Sequence, residues 1–341
     1  MLKFLSFSTK LLHFLPSELS HTFALQGLKL LYNLGLLEYL LKVGTTEVPT
    51  ENRISIDLPN LRNLRNELGI AAGLDKNGDY IDCLAALGVG FIEVGTVTPK
   101  AQNGNPKPRL FRDRKNYSLI NRMGFNNKGV DHLIKRLKSR KSSIPIGVSI
   151  GKNQYTEIDE AYTDYLICLE KVYEYADYIA INISSPNTKN LRNLTSKDYL
   201  DDLLSALKEM QLKKSIEHGY IPLFVKISPD EKIEAIESIC LSIKDSKIDG
   251  MICTNTSTNH DSQYGEGGIS GKLLFASSTF IQEKIRSIMG PDFPIIASGG
   301  VMSVTDYKNK LISGANLVQI YSGFIYEGPK LIADILNSKN I

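Results

Sequence analysis

The chain has 341 residues, 42% of them hydrophobic, and a net charge of only +3. That length supports one large domain plus an accessory segment, and so small a charge argues against a nucleic-acid-binding face. The four cysteines (Cys83, Cys168, Cys240, Cys253) form no CxxC pair and the five histidines no HExxH pattern. Neither a metal or iron–sulfur site nor a disulfide framework is therefore expected.

Residues 1–46 differ from the rest. Phe4, Phe7, Leu11 and Leu15 recur at helical spacing, and so do Leu19, Phe23, Leu30 and Leu34. Pro16 separates the two sets, and Ser17 is a candidate cap for the second helix. Lys3, Lys10, Glu18, Lys29, Glu38 and Lys42 interrupt the apolar run, and its longest uncharged stretch, Leu19 to Leu28, is half the ~20 residues a membrane span requires. No apolar region leads to a small-residue cleavage site, so a signal peptide is not expected. Two readings stay open: a helical hairpin packed on its own core, or an amphipathic hairpin lying in a membrane interface. Thr45 to Pro59 reads as a polar linker, with a candidate short hairpin strand at Arg53 to Asp57.

From Leu68 a rhythm appears. Apolar, β-prone runs occur at residues 68–72, 91–94, 146–150, 178–183, 222–227, 250–254, 294–298 and 317–321. Helical patterns lie between most of them, as at Tyr162 to Tyr175, Lys197 to Met210 and Ser277 to Ile288. The basic run Lys135 to Lys141 reads as a solvated helix face and the loop after it. The strand runs are continuous rather than alternating, as expected for strands buried on both faces. Eight such strands with crossover helices predict an α/β (β/α)8 TIM barrel. A doubly wound open sheet is the alternative, weakened because no GxGxxG follows an early strand. Residues 47–341 are assigned to the barrel.

The most informative segment is INISSPNT, Ile181 to Thr188. Asn182 and Asn187 bracket Ser185 at the end of a buried strand, where an amide is costly unless hydrogen-bonded. In a parallel barrel that end of the strand faces the ligand. No histidine lies within thirty residues of Ser185, so a hydrolase nucleophile is not indicated. A small planar ligand rich in carbonyl and N–H groups suits the flanking amides.

Other strand ends carry similar residues. Gly73 and Lys76 follow the first strand and Thr96 the second. A long loop then holds Arg112, Asn121, Phe125 and Asn126. Lys226 ends the fifth strand, TNTS (Thr254 to Ser257) the sixth, SGG (Ser298 to Gly300) the seventh and YSG (Tyr321 to Gly323) the eighth. Singly, each is a turn, a cap or a surface charge. Together they fall on the one rim that hosts barrel active sites. Small-residue turns after the last two strands suit a phosphate. Lys226 would be costly to bury unpaired and makes sense beside a ring that takes up negative charge. Flavin mononucleotide (FMN) answers both needs.

Taken in order, the strings AAGLDKNG, VGTVTPKAQNGNPKPRLFR, NRMGFNN, NISSPNT, TNTS, GGISGKLL and QIYSGFIYEGP resemble dihydroorotate dehydrogenase, from about Leu68 to Pro329. Ser185, where the soluble class carries cysteine, and the leucine-rich extension resemble the quinone-dependent, membrane-associated branch in its bacterial form. The resemblance implies noncovalent FMN held by Ala72, Gly73, Thr96, Ser149, Asn182, Lys226, Thr254, Gly271, Gly300, Tyr321 and Ser322. Ser149 stands where the family commonly has asparagine. It implies dihydroorotate and orotate contacts at Lys76, Asn121, Arg122, Met123, Gly124, Phe125, Asn182, Asn187, Asn255 and Thr256, with Ser185 as the catalytic base. His21, Arg112 and Tyr321 would line the path of ubiquinone or menaquinone. Residues 1–46 would give quinone access and peripheral attachment to lipid on the cytoplasmic face of the cell membrane. No metal and no nucleic acid enter this reading. Its rivals are a flavin barrel acting on another dihydropyrimidine or on tRNA, a fumarate- or NAD-linked enzyme, a flavin-free barrel, and a catalytically silent membrane-interaction protein.

Overall fold

The computed structural model describes residues 12–37, 56, 58–62, 64–188 and 191–338. Phe4, Phe7 and Leu11, and the expected strand at residues 53–57 apart from Ile56, lie outside the described residues. Ile56 itself is not in a strand.

Eight parallel strands close into a barrel: β1 (Leu68–Ile70), β2 (Phe91–Val97), β5 (Ile146–Ile150), β6 (Tyr178–Asn182), β7 (Leu223–Ile227), β8 (Gly250–Cys253), β10 (Ile295–Ser298) and β11 (Leu317–Ile320). Seven fall within the expected runs, β2 starts with its run at Phe91 but continues three residues past it to Val97, and β1 closes the ring by pairing with both β2 and β11. An open sheet is thereby excluded. Around the barrel pack α2 (Ile81–Ala85), α3 (Val130–Ser139), α4 (Ala161–Val172), α5 (Lys197–His218), α6 (Ile233–Asp245), α7 (Phe275–Met289), α8 (Val304–Ile312), α9 (Ser322–Glu327) and α10 (Pro329–Asn337). The helix expected over Lys197 to Met210 runs two turns further, to His218, where Gly219 at φ +80° ends it.

The barrel floor is built by pairing large residues with absent ones. Phe91, Tyr178 and Phe224 are fully buried inside. A Cβ on Gly69 would lie 2.4 Å from the Phe91 ring, on Gly147 2.0 Å from Tyr178, and on Gly250 2.3 Å from Phe224. Each aromatic thus occupies the space a neighbouring strand gives up. The Phe91–Tyr178 and Tyr178–Phe224 rings meet edge to face, with centroids 6.3 and 5.4 Å apart. Ile252, Ile296 and Leu317 complete the layer, and Ile56, Leu61 and Leu64 close it from below.

Two features depart from the sequence reading. The expected long loop after β2 contains a hairpin, β3 (Leu110–Asp113) and β4 (Ser118–Asn121), to which β9 (Gly268–Gly271) adds antiparallel. This three-stranded sheet joins the segment after β2 to the segment after β8. The local signal was present: LFR and SLI flank the polar turn residues Asp113 to Asn116. The second departure is at α1 (Ser17–Asn33). Ser17 is its first helical residue rather than its cap; Pro16 holds the cap position in an extended conformation, and no side chain caps the helix. Proline suits that entry because its φ is preset and it has no N–H to satisfy.

Helix α1 is tied to the barrel. Arg109 Nη2 donates to Glu18 Oε1 at 2.8 Å, Arg112 Nη2 to Ser20 Oγ at 3.3 Å, and Lys29 Nζ to the Asp79 carbonyl at 2.9 Å. Leu25 and Leu28 enter the core, whereas Leu19, Phe23, Leu30 and Leu34 are exposed. Among the described residues no helix is long and apolar enough to cross a membrane.

Gly147→Ala should destabilise the barrel by about 1–3 kcal/mol, since the added methyl must displace Tyr178 in a close-packed floor. Equilibrium denaturation checks this; an unchanged midpoint would show that the floor is loosely packed.

Candidate active site

The C-terminal ends of the barrel strands surround a cavity of about 990 Å³, part of it open to solvent. Lys226 sits at its base. The sequence suggested a cation short of a partner, but Lys226 Nζ lies 3.5 Å from Glu93 Oε1 on β2. Glu93 is fully buried. Its other oxygen accepts from Tyr178 Oη at 3.0 Å and Gln319 Nε2 at 2.6 Å. A polar layer thus lies directly on the aromatic floor. Sequence reasoning missed Glu93 and Gln319, because a lone charge in an apolar strand run has no local signal of its partner.

Above this layer the asparagines form two hydrogen-bonded pairs, Asn182 with Asn255 and Asn121 with Asn187. Asn182 Nδ2 donates to Thr96 Oγ1 at 2.9 Å, and Asn182 Oδ1 accepts from Asn255 Nδ2 at 3.1 Å. Asn255 Nδ2 also reaches Ser184 Oγ at 3.2 Å, and Ser184 donates to the Lys226 carbonyl at 2.6 Å. On the rim, Asn187 Nδ2 donates to Asn121 Oδ1 at 3.0 Å, and Asn121 Nδ2 to the Gly268 carbonyl at 3.1 Å. The antiparallel sheet therefore delivers Asn121 to the cavity opposite the β6 loop. Ser185 lines the same cavity, its Oγ accepting from the Asn187 N–H at 3.3 Å. Thr188 is buried nearby in sequence, with a hydroxyl that has no partner among the described residues.

The loop after β1 brings Lys76 in. Asp75 shapes it by accepting from the N–H groups of Asp79 and Tyr80 at 2.9 and 2.7 Å. Burial raises the Asp75 carboxyl to about 6. Burial, and then the charge of Arg109, draw the Lys76 ammonium down to about 8 against Glu18 and Asp75. Burial opposes ionisation of Glu18, but hydrogen bonds and charge from Arg109, then Lys107, hold its carboxyl below the ordinary range.

Most expected site residues line this cavity: Ala72, Gly73, Lys76, Thr96, Asn121, Met123, Gly124, Phe125, Asn182, Ser185, Asn187, Lys226, Thr254, Asn255, Thr256, Gly271, Gly300, Tyr321 and Ser322. Ser149 does not. It is sealed behind Thr96, Oγ to Oγ 2.8 Å, because its short side chain stops at that hydroxyl. Arg122 does not either. Its guanidinium lies 4.5 Å from the Phe111 ring centroid and donates to the Glu266 and Tyr264 carbonyls at 2.9 and 3.0 Å. It thereby ties the end of the hairpin to the β8–β9 segment.

The lining fits a flavin nucleotide. Lys226 offers a cation at the base, and the lining residue Gln319 has a buried amide oxygen with no partner among the described residues. The turns after β10 and β11 are small and tightly abutted: a Cβ on Gly300 would lie 2.3 Å from Phe275 Cα, and one on Gly323 2.2 Å from the Val301 carbonyl. Ser270 Oγ and Ser322 Oγ meet at 2.8 Å beside them. Among the described residues no cluster of three or more histidine, cysteine or carboxylate side chains could hold a metal.

A second, more apolar cavity of about 1590 Å³, also partly open, separates α1 from the barrel. Leu12, Phe23, Leu28, Leu119, Phe324 and Pro329 are among its walls, and His13, Ser17, Ser20, His21 and Arg112 are its polar members. Burial and the Lys76 charge pull His21 down to about 4, so the ring is neutral near pH 7. Arg112 Nη1 donates to the His13 carbonyl at 2.9 Å, while its buried Nε has no partner among the described residues. Tyr321, expected on this path, lines the first cavity instead.

The family model for dihydroorotate dehydrogenase matches residues 55–339. A protein of Shewanella denitrificans named dihydroorotate dehydrogenase (quinone) is 45% identical over 341 residues, 98% of each chain. One of Vibrio vulnificus with the same name is 51% identical over 281 residues, covering 80% of this chain and 84% of its own. Among solved structures, the Eimeria tenella enzyme in complex with ferulenol superposes with a TM-score of 0.77 at 32% identity, over 89% of this chain and 88% of that one. The ligand-free Eimeria enzyme gives 0.75 at 33%, over 89% and 92%. With a family model along most of its length and relatives near half identical, this chain belongs to the dihydroorotate dehydrogenase family.

Proposed function

We propose that this chain oxidises dihydroorotate to orotate in the first cavity, with FMN as hydride acceptor, and passes the electrons to a membrane quinone through the second. The activity and the quinone acceptor follow from the family and its quinone-dependent relatives. The observation that carries the site assignment is the set of two asparagine pairs lining one cavity with Ser185, Lys76 and Lys226. Four amides, Asn121, Asn182, Asn187 and Asn255, match the carbonyl and N–H edges of a dihydropyrimidine, and Lys76 matches its carboxylate. A ligand lacking those edges would strand buried amides, which gives selectivity.

FMN, when bound, supplies the hydride acceptor. The chain does the rest. Ser185 takes the proton from C5 of the substrate. A serine is a weak base at its free pKa, so the proton must leave by a relay, through a water or through the buried Thr188 hydroxyl, which has no partner among the described residues. Lys76 holds the carboxylate and so orients C6. Lys226, its charge balanced by Glu93, favours anionic character at the flavin's end of the cavity. The neutral His21 and the Arg112 guanidinium give the apolar cavity two polar points for a quinone head, ubiquinone or menaquinone. The exposed row Leu19, Phe23 and Leu30 on α1, with Leu34 just past its end, supports peripheral attachment to the cytoplasmic face of the cell membrane.

Purified protein should be yellow and bleach on adding dihydroorotate. Ser185→Ala should keep the colour but slow bleaching by about 10²–10⁴-fold. Stopped-flow absorbance checks this; bleaching at the unaltered rate would remove Ser185 from the role of base.

Lys76 binds a carboxylate only when protonated. Orotate affinity should hold below about pH 8 and weaken by about tenfold for each pH unit above it. Lys76→Met should bind orotate weakly at every pH. Titration by flavin absorbance checks this, and a flat profile in the unaltered protein would place the carboxylate elsewhere.

Leu19→Glu combined with Leu30→Glu should release the protein from anionic lipid vesicles while leaving turnover with a soluble dye intact. Sedimentation with vesicles measures it. Binding equal to that of the unaltered protein would mean that this face does not meet lipid.

A further inference from the structure

Lys310 of α8 is fully buried. Unlike Lys226, it has no carboxylate within ion-pair distance among the described residues, although a sealed ammonium without a counter-ion is costly. Its ammonium donates to Ser278 Oγ at 2.8 Å and lies 5.2 Å from the Phe275 ring centroid. Ser278, itself fully buried, has its one O–H hydrogen within reach of the carbonyls of Gly299 and Phe275, each 3.1 Å from its Oγ. Gly299 and Gly300 are the cavity-lining turn after β10, both at positive φ. The turn is packed directly against this support. A Cβ on Gly299 would lie 3.0 Å from Ser278 Cβ, and one on Gly300 2.3 Å from Phe275 Cα. One hydroxyl therefore separates a buried cation from the back of a small-residue turn that opens on the cavity.

We propose that Lys310 is the counter-charge for the phosphate of the bound flavin nucleotide, acting from behind the Gly299–Gly300 turn through Ser278, and that it makes the site select FMN over unphosphorylated riboflavin. This rests on the flavin reading above. The charge explains its own burial: the ammonium is held in a low-dielectric position from which it acts on an anion arriving at the front of the turn. Burial, opposed in part by neighbouring groups, leaves Lys310 lowered to about 7. The titratable groups that face it are the Cys253 thiol of β8, Glu283 of α7 and Asp306 of its own helix, all favouring its charged form. A bound phosphate adds to them. A purely architectural lysine, joining α7 to α8 through Ser278 and through the bond from Gln282 Nε2 to its carbonyl at 2.7 Å, would treat the two flavins alike.

The test strips flavin from the full-length protein and titrates it with FMN and with riboflavin, following flavin fluorescence. Lys310→Met keeps the volume without the charge. It should weaken FMN binding by about tenfold or more and riboflavin binding by less than about twofold. Equal weakening of both, or of neither, overturns the proposal. An unaltered protein that takes up neither flavin would overturn the flavin reading itself, and the proposal with it. Should Lys310→Met not fold, NMR of the Lys310 side chain in the unaltered protein decides. FMN should move its titration upward by about one pH unit or more, and riboflavin should not. The same displacement with both flavins, or none with FMN, overturns the proposal.

Discussion

The site depends on one buried ion pair. Lys226 and Glu93 stand inside the barrel, 3.5 Å apart and almost without solvent. Removing two charges from water costs several kcal/mol per ion, and attraction alone seldom repays it. Here Tyr178 and Gln319 occupy the second Glu93 oxygen, and the aromatic floor below keeps water out. The glycines that admit Phe91, Tyr178 and Phe224 therefore belong to the chemistry as much as to the packing. They close the barrel tightly enough for a cation to be presented upward into the cavity and to no other place.

The two cavities are joined by charge as well as by position. Glu18 on α1 pairs with Arg109, whose charge lowers Lys76, whose charge in turn lowers His21 in the apolar cavity. Burial is the larger cause of both shifts, and an N-terminal helix that looks detachable in the chain adds to the electrostatics of both sites. The antiparallel sheet has a comparable part. It carries Asn121 and Gly271 to the mouth, and Arg112 from its first strand to α1.

Much of this was legible in the chain. Eight apolar runs located eight barrel strands, because strands buried on both faces must be apolar throughout. The Asn182–Asn187 segment announced a site, because amides at a buried strand end need partners. The hairpin at Leu110 to Asn121 was missed where glycine-rich and polar text around it read as loop. Ser149 and Arg122, expected at the ligand, do not line the cavity. What decided their places was a neighbour distant in sequence: Thr96 for one, Phe111 with the Tyr264–Glu266 carbonyls for the other.

By itself, then, the sequence determined the barrel, the rim on which chemistry gathers and the family, since each is written in local periodicity or in contiguous strings. Only the tertiary structure decided who partners whom. It set Glu93 under Lys226, Glu18 against Arg109, and Lys310 behind the Gly299–Gly300 turn. Those pairs span tens to over a hundred residues of chain. The cost of a buried charge is settled by what lies within a few ångströms in space, and closure of the barrel, not spacing along the chain, brings those atoms together.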